Sequence, residues 1–96
     1  MKTRVLEVEI KGVLTGMTLY VEGKKIKLPE INENHYYRKY PKVPIDDILD
    51  ILCRLDGWVN MKWVFKLKID GKTVSTHKGK FDHKGFATFN EKIKVV

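Results

Sequence analysis

The sequence predicts a small, mostly β domain of the α+β class: two three-stranded antiparallel meanders flanking one helix. Three observations carry that expectation. Leu6, Val8 and Ile10 alternate with Glu7, Glu9 and Lys11, the period of a half-buried strand. Val59, Met61, Trp63, Phe65, Leu67 and Ile69 repeat the alternation in the second half. Between them Ile45, Ile48, Leu49, Leu52 and Leu55 recur at helical spacing, with Ile51 widening the stripe.

Taken in order, the first strand is expected near residues 5–11, and Gly12 and Gly16 bracket a short loop. Met17, Leu19 and Val21 mark a second strand near 17–22. Gly23-Lys24 suits a two-residue hairpin turn with glycine first, which sets Val21 opposite Ile26 and Leu19 opposite Leu28 in a third strand near 25–28. Residues 30–43 show no clear period. The helix is expected near 45–56. Pro44 suits its first turn, Asp46 and Asp47 lie near the positive end of its dipole, and Gly57 marks its stop. The long strand near 59–69 follows, and Asp70-Gly71 is the best hairpin signal in the chain. Return strands are expected near 73–81 and 86–95. The two meanders then form a small sandwich, a partly open barrel, or one sheet with the helix on its apolar face.

Register in the second meander follows from its turns. A two-residue loop at Asp70-Gly71 sets Leu67 opposite Val74, Phe65 opposite Thr76 and Trp63 opposite Lys78. A four-residue loop after it sets Phe81 opposite Phe86 and His77 opposite Asn90. Both choices put the apolar sets on one face, which a slip of one residue would destroy. The other face then collects Lys62, Lys66, Lys68, Lys92 and Lys94 with His77 and no carboxylate. Trp58, Phe81 and Phe86 sit at its rim. Lys78, Lys80 and Glu91 fall on the core face, as a rim where lysine stems pack and ammonium groups reach water.

The chain has 96 residues, enough for a single domain over 1–96 with one modest core. Its net charge is +7, which speaks to partners rather than to fold. Most of the excess lies in residues 57–96, where nine lysines face only Asp70, Asp82 and Glu91. No apolar run is long enough for a membrane span, and the start, Met1-Lys2-Thr3-Arg4, lacks a signal-peptide core. With Cys53 the only cysteine, a cytoplasmic setting is expected. Cys53 itself reads as a small helix residue.

Catalytic and metal signals are poor. His35, His77, His83 and Cys53 show no ligand spacing, so neither a metal nor another cofactor is expected. Ser75 and His77 share a strand face, but that face offers no carboxylate to orient the histidine. There is no phosphate loop, dinucleotide fingerprint or nucleophile elbow.

The function expected is therefore a non-enzymatic binding module for an anionic macromolecule, nucleic acid or an acidic protein surface. Its contacts would be Lys62, Lys66, Lys68, Lys92, Lys94 and His77 on the basic sheet face. The competing account of that face is a surface made soluble by lysine. The alternative function is a protein–protein interaction or self-assembly module, with room for a homo-oligomer, in the manner of a small phage-type or mobile-element protein acting on a host machine. It would use the run His35, Tyr36, Tyr37, Arg38, Lys39 and Tyr40, since tyrosine and arginine are enriched at binding hot spots. The plainer account of that run is a short extra strand or a tyrosine-packed loop.

Overall fold

The structure, a computed structural model, describes residues 2–45 and 47–94. Its strands in chain order are β1 Lys2–Gly12, β2 Leu14–Val21, β3 Lys24–Ile26, β4 Glu30–Asn32, β5 His35–Ile45, β6 Ile48–Gly57, β7 Lys62–Ile69, β8 Lys72–Lys80 and β9 Phe86–Lys94. They form two antiparallel sheets, one of five strands in the order β4-β5-β1-β7-β8 and one of four in the order β3-β2-β6-β9. No helix occurs among the described residues, so the class is all-β and the α+β expectation is corrected.

The segment expected as a helix over 45–56 is mostly β6. Leu49, Ile51, Cys53 and Leu55 are buried, while Ile48, Asp50, Leu52 and Arg54 between them are exposed. The helical stripe includes Ile48 and Leu52, yet these point outward with 53% and 47% exposure. Apolar residues on both faces of a short segment satisfy either period. Partners settle the choice, because β6 hydrogen-bonds to β2 on one side and to β9 on the other. Pro44 and Ile45 belong to β5, Gly57 ends a strand, and Asp46 lies outside the described residues.

Neither expected meander survives. β1 and β2 lie in different sheets, as do β8 and β9. Both edges of β1 are already taken, by β5 and β7, which leaves no edge for β2. Gly12, the last residue of β1, lies tightly against β7 where the chain leaves the sheet. A Cβ there would stand 3.2 Å from Cβ of Trp63 and 3.3 Å from the Lys62 carbonyl oxygen. The chain also crosses between sheets at β3–β4, β5–β6, β6–β7 and β8–β9, while β2–β3, β4–β5 and β7–β8 stay within one sheet.

The Asp70-Gly71 turn forms as expected, with Ile69 opposite Lys72. Its φ angles of 51° and 83° are the left-handed pair that a tight hairpin turn requires. The first hairpin turns one residue earlier than expected, at Glu22-Gly23 with φ of 53° and 76°. Leu19 therefore faces Ile26 rather than Leu28.

A β-bulge separates the expected register of β7 and β8 from the observed one. Lys68 pairs with Thr73 and Leu67 with Ser75, so Val74 is the extra residue. Phe65 then faces His77 rather than Thr76, and Trp63 faces Gly79 rather than Lys78. An extra residue moves every later side chain to the opposite face. Ser75 and Phe81 turn inward, to 7% and 2% exposure, and Thr76, Lys78 and Lys80 turn out. Phe81 is thus a core residue and not part of an outer aromatic rim.

One core joins the two sheets. Leu6, Val8 and Ile10 of β1 and Trp63, Phe65, Leu67 and Ile69 of β7 pack against Leu19, Val21 and the buried row of β6. Phe89 of β9 carries the contact across: its ring lies edge-on to Phe65 with centroids 4.9 Å apart and stacks beside Trp63 at 5.9 Å. The alternation expected for β7 holds from Lys62 onward. Val59 and Met61, expected on its buried face, precede the strand and are exposed. Gly57 lies so close under the Phe81 ring that a methyl group would collide with it.

Candidate functional site

The five lysines expected on one face are divided between two. Lys62, Lys66 and Lys68 project from β7 on the outer face of the five-stranded sheet. Lys92 and Lys94 project from β9 in the other sheet, paired with Asp50 and Ile48 of β6. The cause is topological: β8 and β9 are not neighbours in a sheet, so the register that joined their faces does not exist.

The lysine face of β7 also has carboxylates beside it. Glu9 pairs with Lys66 and Glu7 with Lys68 across the β1–β7 ladder. Both are engaged on their other side. Oε2 of Glu9 lies 2.7 Å from Nε2 of His35, and Oε2 of Glu7 accepts a hydrogen bond of 2.7 Å from the Tyr37 hydroxyl. That hydrogen bond, followed by burial, raises the Tyr37 phenol above its ordinary value. The cleft among Glu7, Glu9, Tyr37, Lys66 and Lys68 measures about 30 Å³. That is water-sized, far below a small-molecule pocket of roughly 300–1,000 Å³.

Towards the other end of the same two strands the face is purely basic. Lys62 stands directly opposite Lys80, and Lys78 stands opposite Val64. With Lys66 and Lys68 they make five lysines on the outer face of β7 and β8, strands that carry no Asp or Glu. Like charges directly opposite in a ladder are destabilising. The sequence does not reveal Lys78 and Lys80 on this face, because the bulge at Val74 leaves no mark in the local pattern; Thr73, Val74 and Ser75 are all ordinary strand residues.

His77 does not join this face. It points between the sheets, half-buried, with its ring stacked 4.1 Å from that of Phe89. Its Nε2 lies 2.7 Å from Oε2 of Glu91 on β9, an ion-pair distance outside hydrogen-bond alignment. Glu91 faces inward because it follows the parity of Phe89 and Ile93. Histidine thus has a carboxylate beside it, but Ser75 on the same strand is buried and its hydroxyl is out of reach of a substrate.

The run 35–40 is the first half of β5, paired with β1. His35, Tyr37 and Lys39 take one face and Tyr36, Arg38 and Tyr40 the other. The Arg38 guanidinium lies 4.8 Å over the Tyr40 ring, and the Tyr40 hydroxyl donates to the Lys27 carbonyl at 3.3 Å. Tyr36 lines a cleft of about 320 Å³ together with Leu14, Met17, Lys25, Lys27 and Leu28. Burial, then Glu30 beside it, raises the Tyr36 phenol. No carboxylate, histidine or cysteine lines that cleft.

Cys53 is a core residue of β6, not a helix residue, and burial pushes its thiol up to about 12. It is therefore not a thiolate at neutral pH. Among the described residues no three His, Cys, Asp or Glu side chains gather at metal-binding distance. No helix there is long and apolar enough to cross a membrane. Compared with protein-family models, with curated proteins and with solved structures, the chain matches none of them.

Proposed function

We propose that the chain is a non-enzymatic binding module for an anionic macromolecular surface, which it contacts through the outer face of β7 and β8. The observation that carries this reading is the lysine cluster Lys62, Lys78 and Lys80. Two strands bring like charges to adjacent positions, Lys62 directly across from Lys80, with no carboxylate from either strand between them. Their mutual repulsion weakens when an anionic partner is present, so binding relieves a cost that folding leaves in place. Lys66 and Lys68 extend the site but share it with Glu9 and Glu7, so their contribution is smaller.

The test is binding to a generic polyanion. Labelled duplex DNA and heparin are titrated with the protein at low and moderate salt, followed by fluorescence anisotropy. Three lysine–phosphate contacts on duplex DNA give a log–log salt slope of about −2.7, with little dependence on sequence. The charge reversals Lys62→Glu and Lys80→Glu together abolish binding, while Lys92→Glu with Lys94→Glu leaves most of it. No binding at low salt, or equal loss from both pairs of reversals, refutes this site.

A further inference from the structure

The connection between β6 and β7, residues 58–61, reads Trp-Val-Asn-Met, and it exposes its apolar members. Trp58 is 63% exposed, Val59 50% and Met61 43%. What sets them apart is that three exposed apolar side chains fall within four consecutive residues, beside the buried Phe81. The loop is not loosely placed. The Met61 amide donates to the Trp58 carbonyl at 3.1 Å, closing a turn with Asn60 at a φ of 68°. The Asn60 amide donates to the Phe81 carbonyl at 3.2 Å, and the Phe81 amide donates to the Met61 carbonyl at 3.0 Å. Phe81, itself buried, therefore holds the loop in a shape that presents Trp58, Val59 and Met61 to solvent.

The surroundings are mainly cationic, and the nearby Asp56 is taken up by an ion pair with Arg54 at 3.2 Å. Lys62 follows the loop directly, and Lys80 is its cross-strand partner. Residues 81–85, tied alongside by a 2.8 Å bond from the Gly57 amide to the Gly85 carbonyl, add His83 and Lys84, both exposed. The carboxylate in that segment, Asp82, is turned onto its own loop, where Oδ1 accepts from the Lys84 and Phe86 amides at 2.9 Å each. An exposed apolar loop flanked by lysines has the chemistry of an interfacial anchor. Tryptophan settles at the boundary between headgroups and acyl chains, methionine and valine supply apolar area below it, and lysine stems lie along apolar surface while their ammonium groups meet acidic headgroups. One short apolar insertion gives marginal, reversible binding by itself, and a basic patch is the usual second signal.

We propose that this end of the protein docks on an anionic lipid bilayer. Trp58, Val59 and Met61 enter the interface, and Lys62, Lys80 and Lys84 engage the acidic headgroups. The inference rests on the anionic-surface reading above and names its partner.

The test is sedimentation of the full chain with vesicles of phosphatidylcholine alone and of phosphatidylcholine with phosphatidylserine. Binding is expected to the second and not the first, with a blue shift of tryptophan emission and quenching by bromine-labelled acyl chains. Trp63 is 8% exposed, so the change reports Trp58. Trp58→Ala with Met61→Ser is expected to weaken vesicle binding by about tenfold or more, to remove the quenching, and to leave heparin binding unchanged. Lys62→Glu with Lys80→Glu is expected to abolish heparin binding and to weaken vesicle binding. Each variant is compared at an unchanged thermal midpoint, and quenching in the unmodified protein needs no variant. Heparin binding without vesicle binding overturns the lipid inference and leaves the anionic-surface reading standing, as does capture of an acidic protein in place of vesicles. Binding to neither overturns both. Vesicle binding that the loop variant retains in full overturns insertion of the loop.

Discussion

At one end of the sandwich β2 and β3 are joined through Glu22-Gly23, and β7 and β8 through Asp70-Gly71. The other end carries the crossovers 58–61 and 81–85 between the sheets. The Asp70-Gly71 turn is polar and self-satisfied. Asp70 accepts from the Val5 amide at 3.0 Å and from the Arg4 guanidinium at 2.9 Å. The crossover end is also tied by backbone hydrogen bonds but leaves Trp58, Val59 and Met61 exposed. A hairpin within one sheet needs only two residues with left-handed φ and has no side chains to hide. A crossover must span the thickness between sheets, about 10 Å, and its side chains are free of the ladder. That freedom makes a crossover loop the place where a surface can be specialised.

The largest expected effect lies beneath the crossover end. Phe81→Ala removes a fully buried ring that packs against Gly57, beside the backbone that ties loop 58–61, and should cost about 3–5 kcal/mol in chemical denaturation. A loss no greater than that of an exposed loop residue would break the contrast between floor and tip. Next comes the tight-turn end. Gly71→Ala meets no atom within 4 Å, but must adopt a φ of 83°. The strain should cost about 1–2 kcal/mol, and Gly71→Asn should recover part of it.

Acid sharpens the comparison at both ends. Asp70 is held below its ordinary 3.8 by the Val5 amide and then by Arg4, and Asp82 by the Phe86 amide. A carboxyl whose folded pKa is depressed contributes stability above its unfolded value and loses it as pH falls through the folded one. Stability should therefore decline as pH drops below 3.8, and urea midpoints of Asp70→Asn and Asp82→Asn should each show a flatter decline than the unmodified chain. Identical slopes would mean that neither turn depends on its carboxylate. The smallest effect is expected at the tip. Trp58→Ala should change stability by less than about 0.5 kcal/mol, since the side chain is 63% exposed. A larger loss would make Trp58 structural and remove the reason for assigning it to a partner.

The candidate site was legible only in pieces. Lys62, Lys66 and Lys68 could be placed on the outer face because Trp63, Phe65, Leu67 and Ile69 carry an unbroken apolar alternation between them. Lys78 and Lys80 could not, since Val74 is bulged by the packing of β8 on β7 and nothing in its own neighbours demands it. Lys92 and Lys94 share that face only if consecutive strands pair, and β8 and β9 do not. Their true neighbours, Asp50 and Ile48, are some forty residues earlier in the chain (roughly the span of a long-range contact that local pattern cannot report).

By itself the sequence determined that the chain is rich in strands, that Asp70-Gly71 reverses it, and that β1 and β7 each present one apolar face. These follow from side-chain period and from the left-handed φ that Asp-Gly accepts, both properties of a few adjacent residues. The tertiary structure alone decided that 48–57 is a strand, because Ile48, Leu49, Ile51, Leu52, Cys53 and Leu55 are compatible with either period until β2 and β9 supply hydrogen-bond partners on both sides. It also decided which strands share a sheet. β1 could pair with any compatible edge, and taking β5 and β7 sent β2 to the opposite sheet. Strand period is local; the identity of a strand's partner is settled by competition among all the edges in the chain.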